Sequence, residues 1–314
     1  MKKQILDILH CPMCTQNLTL IDKEVVEGEV IDGALVCNGC QSSFRIMNGV
    51  PRMIVDLGDH KEIAESFGFQ WAKKAEKKFE IDTVYGETEQ EEAGDFFHCL
   101  GIDPDDLRGK VVLDAGCGCG QLTKALGKFG AEVFGIDIFS SIETVYEYCR
   151  SEDNVNIIQA DVLNLPFRRE SFDYVWSDEA ICYSEETKRA FYNLCDVLKA
   201  PGKLFVRVYS KTDQSFVVKL RDFLRISHKI PRHILFYLCF LLSLPLSLIK
   251  RLLNKRAVTL KANALILFNA LSPQFINRHT EEEVVSWFKE KKFYDINVVP
   301  ISEKGVPVRG TKRS

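Results

Sequence analysis

A glycine-rich stretch that follows an acidic residue is the part of this sequence best suited to binding a ligand. An apolar run ends at Asp114, and Gly116, Gly118 and Gly120 follow it at alternate positions. Apolar residues at helical spacing come next, so the glycines lie between a predicted strand and a predicted helix. Glycine suits this place because the chain must turn sharply and let a ligand reach its backbone. The first turn of the helix adds N–H groups without intrahelical partners.

The position of the acid indicates the kind of ligand. The dinucleotide fingerprint is Gly-x-Gly-x-x-Gly, whereas this stretch is Asp-x-Gly-x-Gly-x-Gly. A carboxylate at Asp114 repels a pyrophosphate and attracts an amino acid that carries a sulfonium and a free ammonium group. The spacing therefore predicts a site for S-adenosylmethionine (SAM).

Two further acids follow the next predicted strands. Asp137 ends the segment AEVFGID, where a carboxylate can accept hydrogen bonds from both ribose hydroxyls. Asp161 follows VNIIQA, where a carboxylate can accept one from the adenine amino group. Strand-like segments continue with SFDYVWSDEA and LKAPGKLFVRVY. Strands that alternate with helices predict an α/β fold whose ligands lie at the carboxyl ends of a parallel sheet.

Residues 109–209 resemble the class I SAM-dependent methyltransferases of the methyltransferase type 11-like kind. The resemblance rests on the glycine stretch, Asp137, Asp161-Val-Leu-Asn-Leu-Pro166-Phe167 and Pro201-Gly202. It implies a Rossmann-like, doubly wound and mostly parallel seven-stranded sheet. It also implies that the glycine stretch binds the methionine end of SAM, Asp137 the ribose and Asp161 the adenine. The expected cofactor-binding residues are Asp114, Gly116, Gly118, Gly120, Asp137, Ile138, Asp161, Val162 and Ser177.

Two Cys-x2-Cys pairs near the start of the chain indicate a metal site. Cys11 and Cys14 form one pair, and Cys37 and Cys40 the other, with twenty-two residues between them. Four thiolates at this spacing form a closed tetrahedral site, which predicts a structural Zn²⁺ ion. The segment is too short to bury a large core, so metal binding would supply the missing stability. Unmetallated thiols and an iron site remain as alternatives.

The residues around these cysteines resemble a zinc ribbon related to the small activator subunit of tRNA and protein methyltransferases. The resemblance covers about residues 1–55, through LHCPMC and LVCNGCQSSFRIMNGVPRM. It implies a scaffold or partner surface, hence a structural role. We therefore predict a zinc ribbon at 1–56, a helical lid or linker at 57–108 and the methyltransferase domain at 109–314.

The lid prediction depends on an aromatic-rich segment before the glycines. Helices placed ahead of the sheet often cover the cofactor in this class of enzyme. The candidate lid residues are Phe67, Phe69, Gln70 and Trp71. Ordinary packing of these side chains between ribbon and catalytic domain is the alternative.

Methyl transfer from a sulfonium is an in-line displacement, so the protein must align the acceptor and exclude water. An oxygen or nitrogen acceptor often also needs a general base. Glu179 and Asp178, at the end of the fourth predicted strand, are candidates for that role, and solvated helix-start residues are the alternative. Relatives often carry histidine at the positions of Cys182 and Tyr183, so a histidine base from this loop is not expected.

His279 is a further candidate for the acceptor site. It precedes Thr280-x-x-Glu283, which predicts a capping box at the start of a helix. A loop at this place could reach the strand ends, and a histidine titrates near neutral pH. The alternative is a capping or packing histidine.

A basic and apolar insertion is predicted at about 211–275. Residues 211–270 contain eleven Lys or Arg and two Asp, which makes them +9 and the rest of the chain −12, since the total is −3. Residues 234–249 carry no charge, but a membrane span needs about twenty residues and Pro245 interrupts this run. The insertion therefore predicts a helical cap over an apolar acceptor, or a peripheral membrane contact through 211–261. A buried cap with a solvated surround is the alternative.

These features predict a SAM-dependent methyltransferase that acts on a small-molecule or lipid-like acceptor. Because no export signal is present, we expect it in the cytoplasm, in solution or at a membrane periphery, with reduced cysteines. One alternative is an RNA methyltransferase with its own activator-like ribbon, which the apolar insertion disfavours. Another is a SAM-binding module without catalysis. The acceptor atom and the oligomeric state stay open.

Overall fold

The computed structural model describes most of the chain. The described residues are 1–56, 58, 61–75, 83–213, 219, 221, 229–252, 259–273, 276–301 and 305–313. Parts of the predicted lid, at 57, 59–60 and 76–82, and of the predicted insertion, at 214–218, 220, 222–228, 253–258 and 274–275, lie outside them.

The first fifty residues form a small antiparallel sheet in chain order. Its strands are β1 (Leu18–Val26), β2 (Glu29–Cys37), β3 (Ser43–Met47) and β4 (Val50–Pro51). In β2, Val30, Leu35 and Cys37 are buried, and β3 buries Phe44 and Ile46. The predicted β-ribbon between the two cysteine pairs is thus the β1–β2 hairpin.

The larger sheet has seven strands in one path and a two-residue strand beside it. The strands are β5 (Val111–Ala115), β6 (Glu132–Asp137), β7 (Val155–Gln159), β8 (Phe172–Asp178), β9 (Leu198–Ser210), β10 (Arg278–His279), β11 (Tyr294–Val298) and β12 (Val306–Thr311). The order is β11-β12-β9-β8-β5-β6-β7, and β10 pairs with β9. The pairs from β7 to β9 are parallel, whereas β12 runs antiparallel to β9 and β11. The predicted mostly parallel seven-stranded sheet is confirmed.

Helices pack on both faces of this sheet or above its carboxyl end. The described ones are α1 (Lys61–Ala75), α2 (Glu89–Leu100), α3 (Gln121–Lys128), α4 (Glu143–Cys149), α5 (Thr187–Val197), α6 (Arg232–Leu252), α7 (Leu260–Leu271) and α8 (Glu281–Glu290). The predicted capping box opens α8: the Thr280 hydroxyl accepts from the Glu283 N–H, and the Glu283 carboxylate accepts from the Thr280 N–H.

The strand order reverses beside β5. From β5 the chain builds outward through β6 and β7, then crosses back to add β8 and β9 on the other side. The loops that follow β5 and β8 therefore diverge and leave a crevice at the carboxyl ends, where open α/β sheets bind ligands. The predicted acids lie at this edge.

The small sheet is joined to the large one by backbone hydrogen bonds and by a shared core. The N–H of His10 donates to the carbonyl of Pro166 at 2.9 Å, and the N–H of Met53 donates to that of Gln159 at 2.8 Å. Leu9 of the ribbon lies in the same buried cluster as Phe167. Loss of the ribbon would therefore expose apolar surface of the larger domain.

The described part of the insertion is a helical pair. α6 runs through Pro245, which lies inside the helix instead of ending it. Proline lacks the N–H that would bond four residues back. Hydroxyls nearby bond to the helix: Ser243 donates to the Phe240 carbonyl at 2.7 Å and Ser247 to that of Ser243 at 2.8 Å. Of the helices in the described residues, none combines the length and the apolar content that crossing a membrane requires.

Candidate functional site

The glycine loop after β5 is held tightly against its surroundings. The N–H groups of Gly116 and Cys117 donate to the carbonyl of Ile136 at 2.9 and 3.0 Å, so β6 fixes the start of the loop. Gly116 has φ +99°, and a Cβ there would lie 2.2 Å from the Cβ of Ala180. Only glycine fits such a close approach at a positive φ.

Asp114 lies at the bottom of the crevice and is 3% exposed. Its carboxylate accepts a hydrogen bond from the Thr123 hydroxyl at 2.6 Å. Burial raises the pKa of Asp114 to about 7, and the nearby Asp137 and Asp178 act in the same direction. A cationic ligand would lower the free energy of the ionised form, so the site favours positive charge.

Asp137, at the end of β6, connects two loops. One carboxylate oxygen accepts from the N–H of Gly118 at 3.0 Å, and the other from the N–H of Ile138 at 2.8 Å. Burial raises its pKa to about 6, against the effect of these backbone donors. A carboxylate oxygen can accept more than one hydrogen bond, so the group can hold its loops and still accept from a ligand.

The other expected cofactor residues occupy the neighbouring strand ends. The carboxylate of Asp161 accepts from the N–H of Leu163 at 2.9 Å, which shapes the turn after β7. The backbone carbonyl of Val162 accepts from Asn193 at 3.0 Å. Ser177 is fully buried and donates to the carbonyl of Ala115 at 3.0 Å, so its hydroxyl joins β8 to β5.

Helix α1 covers this edge of the sheet. Trp71 contacts the glycine loop closely, because a Cβ on Gly118 would lie 3.0 Å from the indole ring. The Trp71 Nε1 and Gln70 Oε1 atoms are buried without a hydrogen-bond partner. The unpaired Trp71 donor beside the glycine loop fits the carboxylate group of an amino-acid ligand. Gln70 also donates to the Tyr85 hydroxyl at 3.1 Å.

The end of β8 carries a charged and aromatic cluster. Both carboxylate oxygens of Asp178 bind Arg207 of β9, one of them at 2.8 Å. Glu179 follows with φ +51°, and its carboxylate lies 3.9 Å from the Arg207 guanidinium. Burial raises the pKa of Glu179, while Arg207 and the Tyr209 hydroxyl act in the opposite direction. Tyr209 and Tyr183 share a hydrogen bond of 2.9 Å.

These contacts separate the two predicted candidates for the general base. Asp178 is paired through both oxygens, so proton transfer would break a bidentate ion pair. The Glu179 carboxylate lies farther from the Arg207 guanidinium, at 3.9 Å, and burial raises its pKa. Of the two, Glu179 is the better placed to accept a proton.

His279 lies on β10, beside the end of β9. Its Nδ1 atom is 3.3 Å from the Glu283 carboxylate, and its ring lies edge-on to Trp287 at 4.8 Å. Burial lowers its pKa, against the effect of Glu283. The Nδ1 and ring contacts fit the packing histidine named as the alternative, whereas the Nε2 atom is buried without a hydrogen-bond partner. An acceptor-site role stays a prediction.

The two cysteine pairs meet as predicted. The sulfur atoms of Cys11, Cys14, Cys37 and Cys40 all lie within 4.8 Å of one another. A tetrahedral zinc with bonds of about 2.3 Å sets sulfur separations of about 3.8 Å. The observed 3.7 Å between Cys11 and Cys40 and 3.3 Å between Cys14 and Cys37 match that size. The N–H of Gly39 points at the Cys37 sulfur at 3.3 Å, which favours a thiolate.

Sequence analysis missed Arg207 and Tyr209. The signal was present, because a charged and a polar residue alternate with apolar ones in the segment LFVRVY. In a strand this places both side chains on one face. It also places them beside the end of β8.

The sheet order, the glycine loop and the acids at successive strand ends define a Rossmann-like methyltransferase fold with a cysteine-based ribbon. Comparison with known protein families agrees with this fold. Residues 113–206 match the family described as a methyltransferase domain, and residues 2–49 match the Trm112p-like proteins. The chain thus combines a methyltransferase domain with a Trm112p-like domain, which confirms both resemblances.

Similar proteins include methyltransferases of small molecules. Over 113 residues the chain is 31% identical to a ubiquinone biosynthesis O-methyltransferase of Coxiella burnetii, a match that covers 35% of this chain and 48% of the relative. The mitochondrial enzyme of the same description from Homo sapiens is 34% identical over 119 residues, or 36% and 32% of the two chains. The chain thus spans about half or less of these relatives. A magnesium protoporphyrin IX methyltransferase from Synechocystis PCC 6803 with bound SAM is 13% identical, at a TM-score of 0.49, over 82% and 99% of the chains.

Proposed function

We propose that this protein transfers the methyl group of SAM to a hydroxyl oxygen of a small apolar molecule. The observation that carries the proposal is the acid-lined crevice closed by α1. Asp114 is buried and Asp137 half-buried at adjacent strand ends, and Trp71 with its unpaired Nε1 atom lies against the glycine loop. A cation with hydroxyl and amino-acid groups suits this set of partners.

The acceptor would lie beside the aromatic cluster at the end of β8. Phe67 of α1 packs edge-on against Tyr183 at 4.9 Å, and Tyr183 is joined to Tyr209. Aromatic walls with a few polar groups favour a small apolar acceptor over a nucleic-acid backbone. The relatives whose printed names specify an O-methyltransferase support an oxygen as the acceptor atom.

Glu179 is the proposed proton acceptor. The sulfonium supplies an activated methyl group when SAM is bound. As the oxygen–carbon bond forms and the carbon–sulfur bond breaks, the hydroxyl proton passes to the Glu179 carboxylate. The Arg207–Asp178 ion pair holds the adjacent backbone, because the Glu179 N–H donates to the Arg207 carbonyl at 2.9 Å. The α1 helix excludes water, which would compete with the acceptor.

Replacement of Glu179 by Gln tests the base. General-base catalysis is worth about 10²- to 10⁴-fold, so kcat should fall by that factor at neutral pH. The Kd for SAM should stay within about threefold, because the proposed cofactor contacts are elsewhere. Glu186→Gln is the matched control, since Glu186 is on the same loop and its ion pair with Arg189 is exposed. Equal kcat values for the two variants would contradict the assignment of Glu179.

The acceptor class can be tested without knowing the acceptor. Purified protein and methyl-labelled SAM are incubated with a cell extract, which is then separated into organic-soluble, RNA and protein fractions. We expect the label in the organic-soluble fraction. Label in RNA would support the built-in activator alternative. No transfer by a protein that binds SAM would support a non-catalytic module.

We further propose that the chain works in the cytoplasm at the surface of a membrane. An apolar acceptor concentrates in a bilayer, so contact with the bilayer would shorten its path to the crevice. The basic and apolar segment 211–261 is the part of the chain proposed to make this contact.

A further inference from the structure

Helix α6 has an apolar face turned to solvent. Tyr237 is 65% exposed and Leu241 64%, which is unusual for side chains of this size. They belong to a stripe at helical spacing, here called the outer face of α6. Its members are Ile234, Tyr237, Leu238, Leu241, Leu242 and Leu244.

The opposite face of α6 is buried against α7. Leu235, Phe236 and Cys239 are buried in a small cluster with Leu265 and Phe268 of α7. The helical pair is therefore closed on its inner side. The outer face adds nothing to that core, so its apolar character needs another explanation.

The sequence segment that contains α6 carries charge of one sign. Residues 223–280 contain nine Lys or Arg and no Asp or Glu. Among the described side chains near the helix, Lys229 and Lys261 are exposed, and the acidic Glu62 and Glu65 of α1 lie near Arg232 at its start. An apolar stripe within a strongly basic segment is complementary to an interface that has an apolar interior and an anionic surface.

We propose that the outer face of α6 is a docking surface for an anionic lipid bilayer. The helix would lie in the plane of the interface, with its apolar stripe among the acyl chains and the surrounding cations at the headgroups. A second copy of this chain would bring like charges together, and a nucleic acid would leave the apolar stripe without a partner. The docking itself follows from α6, whereas its benefit to catalysis rests on the proposed function.

The inner face of the α6–α7 pair packs on α1, the helix that covers the crevice. Phe69 of α1 packs against Phe236 of α6 at 5.9 Å and against Phe268 of α7 at 5.6 Å. Two residues away on the same helix, Phe67 and Trp71 contact Tyr183 and the glycine loop. The docking surface is therefore separated from the crevice by α6 and α1.

Vesicle co-sedimentation tests the proposal. The full-length protein is mixed with vesicles of phosphatidylcholine alone or with added phosphatidylglycerol. We expect binding to the anionic vesicles and at least about fivefold weaker binding to the neutral ones, the effect of about one basic residue at the surface. The double variant Tyr237→Glu, Leu241→Glu should bind the anionic vesicles at least about tenfold more weakly, because two charges would enter the apolar layer.

A matched control uses apolar residues exposed elsewhere. Ile21 and Val25 of β1 are 50% and 45% exposed, and Ile21→Glu, Val25→Glu should leave vesicle binding unchanged. Equal binding to both vesicle types, no binding, or an unaffected α6 variant would overturn the proposal. So would a wild-type dimer that the α6 variant dissociates. The Kd for SAM is measured in parallel, since it should be the same in all variants and reports on the proposed function separately.

Discussion

Substitution of Asp137 by Ala separates a cofactor-binding role from a structural one. In the ligand-free protein this carboxylate accepts hydrogen bonds from Gly118 and Ile138. With SAM bound, the same group would also accept from the two ribose hydroxyls. The substitution therefore removes two contacts to the protein and two to the ligand.

The size of each effect follows from these contacts. A hydrogen bond to a charged acceptor contributes about 1.5–3 kcal/mol, and two bonds to one group are not additive. We expect a loss of about 2–4 kcal/mol in binding, which raises the Kd for SAM by about 30- to 1,000-fold. The Kd of Asp137→Asn for SAM should lie between those of the wild type and Asp137→Ala, because asparagine keeps one acceptor oxygen and loses the charge.

Isothermal titration with SAM and S-adenosylhomocysteine measures this change. Asp173→Ala is the matched control: its carboxylate accepts from the Val111 N–H at 2.9 Å and pairs with Lys199, at the opposite end of the sheet. Both variants should be less stable than the wild type, but only Asp137→Ala should bind SAM more weakly. A folded Asp137→Ala protein with an unchanged Kd would refute the ribose assignment.

Other substitutions test the remaining features. Burial raises the pKa of Asp114 to about 7 from 3.8, so the folded ligand-free protein holds a proton that the unfolded chain has lost. The contribution of this group to the unfolding free energy should therefore decrease by about 2–4 kcal/mol as pH rises from about 4 to about 7. In urea titrations, Asp114→Asn should remove that contribution and leave the part of the slope that the raised pKa of Asp137 adds. Gly116→Ala should destabilise by about 2–4 kcal/mol through the clash and the positive φ, whereas Gly94→Ala in the open face of α2 should stabilise slightly. Cys37→Ser should lower both the zinc content by mass spectrometry and the melting temperature; one equivalent of zinc retained would exclude the four-cysteine site.

Much of the cofactor edge could be predicted because it depends on local sequence. Asp114 and Asp137 each end an apolar strand, and the carboxyl ends of parallel strands meet at one edge whatever their exact order. The Thr280–Glu283 capping box and the cysteine pairs are likewise short-range patterns. Each of these features depends on residues that lie close together in the sequence.

Contacts between distant segments could not be predicted in the same way. The aromatic residues before the glycines predicted a lid in general terms, but the contact between Trp71 and Gly118 depends on how the chain folds. The pairing of Arg207 with Asp178 depends on β8 and β9 being neighbours. Pro245 suggested a break, yet α6 continues through it, and beyond the proline the Ser247 hydroxyl accepts a hydrogen bond from Asn263 of α7 at 2.9 Å.

A crystal structure of the protein soaked with S-adenosylhomocysteine tests the central claim most directly. We expect the ribose hydroxyls at Asp137, the adenine amino group at Asp161 and the amino-acid end at Asp114 and the glycine loop, under Trp71. A ligand bound elsewhere, or no ligand at saturating concentration, would contradict the account.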